Sequence, residues 1–259
     1  MKDIVNDLIA EQAQVDLLVA DLSEDQWNEP SANCAWTIKE ELQHIGEFDY
    51  AAVRMLGGGY TCVNEVADVE FSHDEIYTPK ALAHLSGADT LAWWREQRTR
   101  MDVAFLDTDR KARVPWAPGL PMSAKSLASA RLMELWAHSV DIGDALGMEP
   151  VVKERITSTL FLSWQARPNA YRINGLELPE TPLYLEVELP SGQLWAKGEP
   201  DAENTIKGSA RDWALVAVRR RNWMDTDLDV AGDEARRFAS IVQTFAGEAS
   251  SVAPAKNPR

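Results

Sequence analysis

The sequence predicts an α+β protein, with a helix bundle in the first 150 residues and a smaller α+β domain after it. Before Gly147, four stretches carry apolar residues at helical spacing. After Pro150 the character changes, and Leu183 to Leu189 alternates apolar and polar residues as a half-buried strand does. We therefore divide the chain into a helix bundle (1–150), an α+β domain (151–247) and a disordered tail (248–259) rich in Ala, Ser and Pro.

The first two helices of the bundle have readable ends. Residues 3–22 place apolar side chains on one stripe, which predicts an amphipathic helix. The second helix is expected to begin after Thr37, because Thr37 followed by Glu40 has the form of a capping box. It is expected to end near Leu56, before a run of three glycines that tolerates helix termination.

The third and fourth helices flank a proline-rich stretch. Residues 88–107 predict a helix with five inward candidates: Leu91, Trp94, Met101, Phe105 and Leu106. Residues 114–121 contain three prolines, so we predict a loop there that is either a pocket wall or a plain connection. Ser123 is then expected to cap a helix that ends near Gly147.

The second domain combines a small sheet with helices. A helix is expected over residues 153–166, and the strand at Leu183 to Leu189 is expected to pair antiparallel with Gln193 to Lys197. Residues 204–207 indicate a third strand, and residues 209–220 and 231–245 indicate two further helices.

Composition excludes several classes of partner. The chain has 26 Lys+Arg against 41 Asp+Glu, and its net charge of −15 disfavours nucleic acid, which is bound through cationic side chains. The acidic start does not match a signal peptide, and no apolar run approaches the length of a membrane span. We expect a cytoplasmic protein that acts on a small molecule without membrane or nucleic-acid partners, with Cys34 and Cys62 reduced and inert. Its oligomeric state is left open.

Glu134 and His138 are the strongest chemical signal in the bundle. On a helix, residues four apart lie on one face, so this carboxylate and imidazole form a potential chelating pair. If a neighbouring helix brings His44 beside them, the three side chains supply the ligand count of a divalent-metal site with an open position. Such a spacing also arises by chance, and His44 would then be a core histidine. We interpret His73 and His84 as surface residues.

The surrounding residues add a family resemblance. The run Trp36-Thr37 leading to His44, with Glu134-x-x-x-His138-x-x-Asp141, resembles the DinB-like bundles of the mycothiol-dependent maleylpyruvate isomerase type.

The second domain also carries motifs of a related group of metal-binding proteins. Its C-terminal motifs resemble a domain sometimes labelled for wyosine base formation: residues 206–213, Arg219-Arg220-Arg221, residues 225–228 and residues 245–247. The acidic composition does not support the tRNA chemistry of that label.

The resemblance implies a DinB-like four-helix bundle, a sterol-carrier-like α+β domain and a metal site. His44, Glu134 and His138 would hold zinc or another divalent metal, and the open position would accept a low-molecular-weight thiol such as mycothiol. Coordination would present the thiol as thiolate, which adds to an activated double bond. Rotation and elimination would convert maleylpyruvate to fumarylpyruvate, whereas a thiol transferase would stop at the adduct.

Further residues are candidates for supporting roles. Asp141 could accept a ring N–H of His138, and Asp49 or Glu41 could do the same for His44. Arg220 or Arg221 could bind a substrate carboxylate bidentately. The candidate catalytic residues are accordingly Asp141, Arg220 and Arg221.

Two other functions are compatible with the same residues. One is a metal-dependent hydrolase with activated water, in which Asp49, Glu41 or Asp141 would be the general base. The other is a non-enzymatic metal- or ligand-binding module, in which the second domain closes over an apolar ligand.

Overall fold

A computed structural model describes residues 1–32, 36–63, 65–66, 82–117 and 120–256. The chain divides into two compact units, Met1–Pro150 and Val151–Arg259. None of the helices in the described residues is long and apolar enough to cross a membrane. The predicted α+β class is confirmed, because the first unit is mainly helical and the second contains a small sheet.

The first unit is built mainly from four long helices and one short helix within its described residues. They are α1 (Lys2–Val19), α2 (Glu24–Trp27), α3 (Ile38–Gly57), α4 (Gly87–Asp107) and α5 (Ala124–Ala145). Helix α3 packs against both α4 and α5, and α1 packs against the same two helices. The predicted capping box of α3 is confirmed, since Thr37 accepts from the Glu40 backbone N–H and the Glu40 carboxylate accepts from the Thr37 N–H. Ser123 caps α5 by accepting from the Ser126 backbone N–H.

Three predictions for this unit need correction. The first helix ends at Val19 instead of residue 22, because Ser23 starts the separate helix α2 with a capping box of its own. Residues 114–121 do not form a plain loop: β1 (Arg113–Ala117) pairs antiparallel with β2 (Leu120–Ser123). A two-stranded ribbon tolerates proline because each strand has an unpaired edge. Leu106 is 46% exposed, whereas the other four inward candidates of α4 are buried.

Helices α3 and α4 approach each other closely at Gly46. A Cβ atom at this position would lie 2.2 Å from the ring of Trp93, so only glycine allows this separation. The adjoining core is apolar, with Leu42, Ile45 and Trp94 almost fully buried. The close contact fixes the position of α3, which carries part of the candidate site described below.

A buried polar cluster lies within this bundle. Arg131 on α5 donates to Asp49 on α3 at 3.0 Å, and the indole N–H of Trp94 donates to the same carboxylate at 3.2 Å. Both side chains of the ion pair are only 4% exposed. Burial raises the pKa of Asp49, although Arg131 acts in the opposite direction.

Asp102 on α4 makes the stability of the bundle dependent on pH. Burial raises its pKa from 3.8 to about 7, while Gln12 donates to its carboxylate at 3.0 Å. Because the pKa is higher in the folded protein, this group stabilises the fold below pH 4, and that contribution is lost as the pH rises through 7.

We expect Asp102→Asn to remove the loss of stability at high pH, because an amide does not ionise. The amide oxygen still accepts a hydrogen bond from Gln12. In denaturant unfolding at pH 8, the variant should be more stable than the wild type by about 1–2 kcal/mol, a value reduced for partial solvent screening. At pH 5 the gain should largely vanish. Asp21→Asn, at an exposed turn residue, is the control, and an equal pH dependence in both variants would contradict the assignment.

The second unit contains short helices around a sheet. Its elements are a 3-10 turn (Glu154–Ile156), α6 (Thr157–Gln165), α7 (Arg167–Ile173), β3 (Leu183–Glu188), β4 (Leu194–Gly198), β5 (Asn204–Ser209), α8 (Ala210–Ala217), a second 3-10 turn (Trp223–Asp225), β6 (Asp229–Ala231) and α9 (Asp233–Ile241). The sheet order is β4-β3-β5-β6. The predicted antiparallel pairing of β3 with β4 is confirmed, and β5 lies parallel to β3. The sequence analysis missed β6, which is too short to show alternation.

Residues 248–256 run along the second unit without helix or strand. Arg219 donates to the carbonyl of Ser250 at 2.6 Å, and the backbone N–H of Lys256 donates to Asp225 at 2.9 Å. The hydrogen bonds of this segment were not anticipated by the prediction of a disordered tail.

Candidate metal centre

The predicted ligands lie where α3 packs against α5. Helix α3 contributes Glu41 and His44, which are three residues apart and share a helix face. Helix α5 contributes Glu134, His138 and Asp141 at spacings of four and three, again on one face. The packing of the two helices brings these faces together.

Nε2 of His138 faces Glu134, and the His138 ring packs against the ring of His44. His138 Nε2 is 3.8 Å from Glu134 Oε2, and the ring centroids of His138 and His44 are 5.0 Å apart. Two donors bound to one tetrahedral zinc at 2.0–2.2 Å lie roughly 3.4 Å apart, so these spacings fit a shared cation after small side-chain adjustments. The Glu134 side chain is 26% exposed, which gives this side of the ring access from solvent.

The Nδ1 side of the same ring is closed off by buried groups. His138 Nδ1 lies 2.6 Å from Glu41 Oε2, and Ser31 donates to the other oxygen of Glu41 at 2.5 Å. Asp141 Oδ2 is 3.7 Å from Nδ1, beyond hydrogen-bond distance. The expected partners are therefore corrected: Glu41 contacts His138 where the sequence suggested His44, and Asp141 lies beside the ring without this bond.

A second ligand set shares His138. Glu41, His138 and Asp141 are all buried, and their donor atoms lie within 4.8 Å of one another. The 2.6 Å contact between Glu41 and Nδ1 is a hydrogen-bond distance, shorter than the separation of two ligands on one zinc ion. The side chains of Glu41 and Asp141 are also 0% exposed, so this set offers no open position. Both sets contain His138, and the choice of His44 and Glu134 as its partner ligands stays a prediction.

Aromatic side chains border the histidines. The Trp36 ring lies 4.6 Å from His44 and 6.3 Å from His138, measured between centroids. Phe48 lies 4.8 Å from His44 and 6.0 Å from Trp116 of the β1–β2 hairpin. All three aromatic rings are half-buried, so they form an apolar border that remains partly open. Such a border can contact the organic part of a small ligand. The sequence analysis did not assign Phe48 to this site, whereas Trp116 lies in the stretch that it considered as a pocket wall.

Asp49, Arg220 and Arg221 were also predicted as site residues, and each has hydrogen-bond partners of its own. Asp49 is bound by Arg131 and Trp94, not by His44. Arg220 and Arg221 belong to the second unit, where they donate to the carbonyls of Val218 at 2.8 Å and Arg220 at 2.9 Å. Their role in binding a carboxylate stays a prediction.

The remaining histidine and cysteine predictions concern His73, His84, Cys34 and Cys62. His84 is exposed, as predicted. Cys62 forms no disulfide among the described residues. His73 and Cys34 fall outside the described residues.

Comparison with known proteins identifies the family of this chain. The model of the mycothiol maleylpyruvate isomerase N-terminal domain matches residues 8–143, more than half of the 259-residue chain. The chain belongs to this family. Two relatives from Mycobacterium tuberculosis, of strains CDC 1551 and H37Rv, are each 35% identical over 247 residues. The match covers 94% of this chain and 95% of each relative, and both relatives are named only as uncharacterised proteins.

Solved structures of this family share the fold. The crystal structure of a histidine-to-alanine mutant of the mycothiol-dependent maleylpyruvate isomerase matches with a TM-score of 0.61 at 18% identity. The crystal structure of the mycothiol-dependent maleylpyruvate isomerase itself matches with a TM-score of 0.60 at 17% identity. Each match covers 85% of this chain and 89% of the other chain. At this identity, the likeness shows the fold alone.

Proposed function

We propose that this protein is a divalent-metal-dependent enzyme that uses a low-molecular-weight thiol to act on a small carboxylated electrophile. The reaction is a cis–trans isomerisation of the maleylpyruvate type or an S-transfer. The observation that carries this proposal is the His138 ring, which packs against the His44 ring and turns Nε2 toward Glu134, while Glu41 engages its Nδ1. Membership of the maleylpyruvate isomerase family supports the thiol and the class of substrate.

The residues fit a zinc ion or a similar cation. Two imidazoles and one carboxylate are the donor set of a catalytic zinc site with an open position. A cation held by His44, Glu134 and His138 would lower the pKa of a bound thiol and favour its thiolate. The protein's own contribution is to hold these three donors on two packed helices and to border them with Trp36 and Phe48.

The substrate carboxylate requires a cationic partner. Arg131 is the basic side chain nearest to this site on α5, but it is buried and forms an ion pair with Asp49, so it is not available to a substrate. We therefore retain Arg220 and Arg221 as the candidates, because a planar guanidinium can bind a carboxylate bidentately.

The hydrolase alternative lacks an available general base among the acids considered for that role. Glu41 is bound between Ser31 and His138, and Asp49 is bound by Arg131. Asp141 is fully buried. A base must reach the water that it activates, so these environments favour thiol chemistry over metal-activated hydrolysis.

The binding-module alternative predicts an apolar pocket in the second unit. A cleft of about 530 Å³ lies there, and its lining includes Glu177, Glu203, Asp233, Glu234 and Arg237. A charged lining of this kind does not suit a wholly apolar ligand. This cleft therefore gives no support to the binding-module alternative.

The decisive experiment is a turnover assay with maleylpyruvate. The protein is stripped with a chelator, reloaded with zinc, and supplied with mycothiol, with glutathione or with no thiol. We expect fumarylpyruvate only when metal and thiol are both present. Thiol-independent hydrolysis of ester substrates would support the hydrolase instead, and tight ligand retention without turnover across a panel of electrophiles would support a binding module.

A further inference from the structure

We propose that Glu41, supported by Ser31, is a positioning residue that holds His138 as the Nδ1–H tautomer and directs its Nε2 lone pair toward Glu134 and His44. This inference rests on the proposed metal site. It assigns a role to two side chains that the ligand set alone does not include.

The hydrogen bonds of Glu41 define the direction of the ring. A carboxylate only accepts hydrogen bonds, so the 2.6 Å contact requires Nδ1 to donate. In a neutral imidazole the other nitrogen is then unprotonated, and its lone pair can bind a metal. That nitrogen is Nε2, the atom that lies 3.8 Å from Glu134.

Ser31 fixes the orientation of the Glu41 carboxylate. The Ser31 hydroxyl donates to Oε1 at 2.5 Å and leaves Oε2 for the histidine. Ser31 is itself placed by a backbone bond from its N–H to the carbonyl of Trp36 at 2.7 Å, beside the bridge between Pro30 and Thr37. Ser31, which precedes α3, therefore helps to position the His138 ring on α5.

The same order of contacts excludes a serine nucleophile at this position. In a serine hydrolase, the histidine lies between the serine and the acid, and it takes the serine proton. Here the acid lies between Ser31 and His138, so the hydroxyl is bound to the wrong partner for activation. Ser31, Glu41 and His138 form a chain that positions a ligand.

Burial makes the arrangement rigid. The Glu41 side chain is 0% exposed and that of His138 is 10% exposed, so water has little access to replace either hydrogen bond. Asp141 is equally buried but is 3.7 Å from Nδ1, so Glu41 is the acid that holds the proton.

The first test measures zinc affinity by competition with a chromogenic chelator. Outer-shell partners of this kind contribute about 10–100-fold to metal affinity, so we expect a loss of that size in Glu41→Leu. Glu41→Gln keeps an amide oxygen as acceptor and should recover part of the affinity. Ser31→Ala should lose less than Glu41→Leu. Glu96→Leu, an exposed change of the same type on α4, should bind zinc as the wild type does.

The second test reads the ring directly in the metal-free protein. In ¹⁵N spectra of the histidine side chains, His138 should show a protonated Nδ1 and an unprotonated Nε2 in the wild type. Glu41→Leu should shift both signals toward a mixture of tautomers, and Glu41→Gln less so. If Glu41 had only a structural role, Glu41→Leu would lower the midpoint of thermal unfolding without changing these nitrogen signals.

The two tests separate this inference from the proposed function. A wild type that binds no divalent metal would overturn the proposed function, and the nitrogen signals would still report whether Glu41 fixes the tautomer. Wild-type zinc affinity together with unchanged nitrogen signals in folded Glu41→Leu or Glu41→Gln would overturn the inference and leave the metal site in place.

Discussion

His138→Ala is expected to weaken zinc binding by more than about 100-fold, because loss of an outer-shell partner alone costs roughly 10–100-fold and this substitution removes a proposed ligand. The wild type should contain about one zinc per chain by elemental analysis, since both candidate ligand sets share His138 and a neutral imidazole binds a metal through one nitrogen. The variant that combines His44→Ala, Glu134→Ala and His138→Ala should contain none after loading and dialysis.

Two matched controls make this result specific. His84→Ala changes an exposed histidine outside the bundle contact and should retain the metal. Glu134→Gln and Asp141→Asn distinguish the two ligand sets that share His138, and we expect the larger loss of affinity in Glu134→Gln. A larger loss in Asp141→Asn, or retention of zinc by the triple variant, would show that the cation binds elsewhere.

Arg131→Met is expected to be the most destabilising of the substitutions considered, by about 3–5 kcal/mol in denaturant unfolding at pH 8. The change leaves the buried Asp49 carboxylate without its cation, and Trp94 remains as a neutral donor to it. Burial raises the pKa of Asp49, so protonation can relieve the unpaired charge, and the destabilisation should be smaller at pH 5 than at pH 8.

The double variant Asp49→Asn/Arg131→Met should recover much of this loss, because an amide needs no counter-ion and still accepts from Trp94. Arg100→Met removes an exposed pair with Glu96 and should change stability by less than about 1 kcal/mol. Equal effects of Arg131→Met and Arg100→Met would mean that the buried pair contributes no more than a surface pair.

Features that depend on local spacing could be predicted from the sequence. Thr37 and Glu40 mark the start of α3, because a capping box is formed within one turn. The strand at Leu183 shows its buried face by alternation, since successive side chains point to opposite sides. Glu134 and His138 are neighbours on any helix, so their pairing required only that α5 be helical.

Contacts between separate elements could not be predicted in this way. Helical periodicity shows which face of α3 is buried, but not which acid on that face meets His138 across the helix contact. Glu41 and Asp49 were both candidate partners of His44, whereas packing places Glu41 against His138 and Asp49 against Arg131. Likewise, the β1–β2 hairpin was hidden by its prolines, because the sequence does not show that only one edge of each strand is paired.

The sequence by itself therefore determined the α+β class, the N-caps of α3 and α5, and a carboxylate and imidazole on one helix face, because each follows from residues within a few positions of one another. Only the tertiary structure decided that Ser31 and Glu41 hold Nδ1 of His138, that Phe48 and Trp116 border the site, and that β5 runs parallel to β3. These arrangements depend on how distant segments pack, and apolar periodicity carries no information about which polar partners then meet.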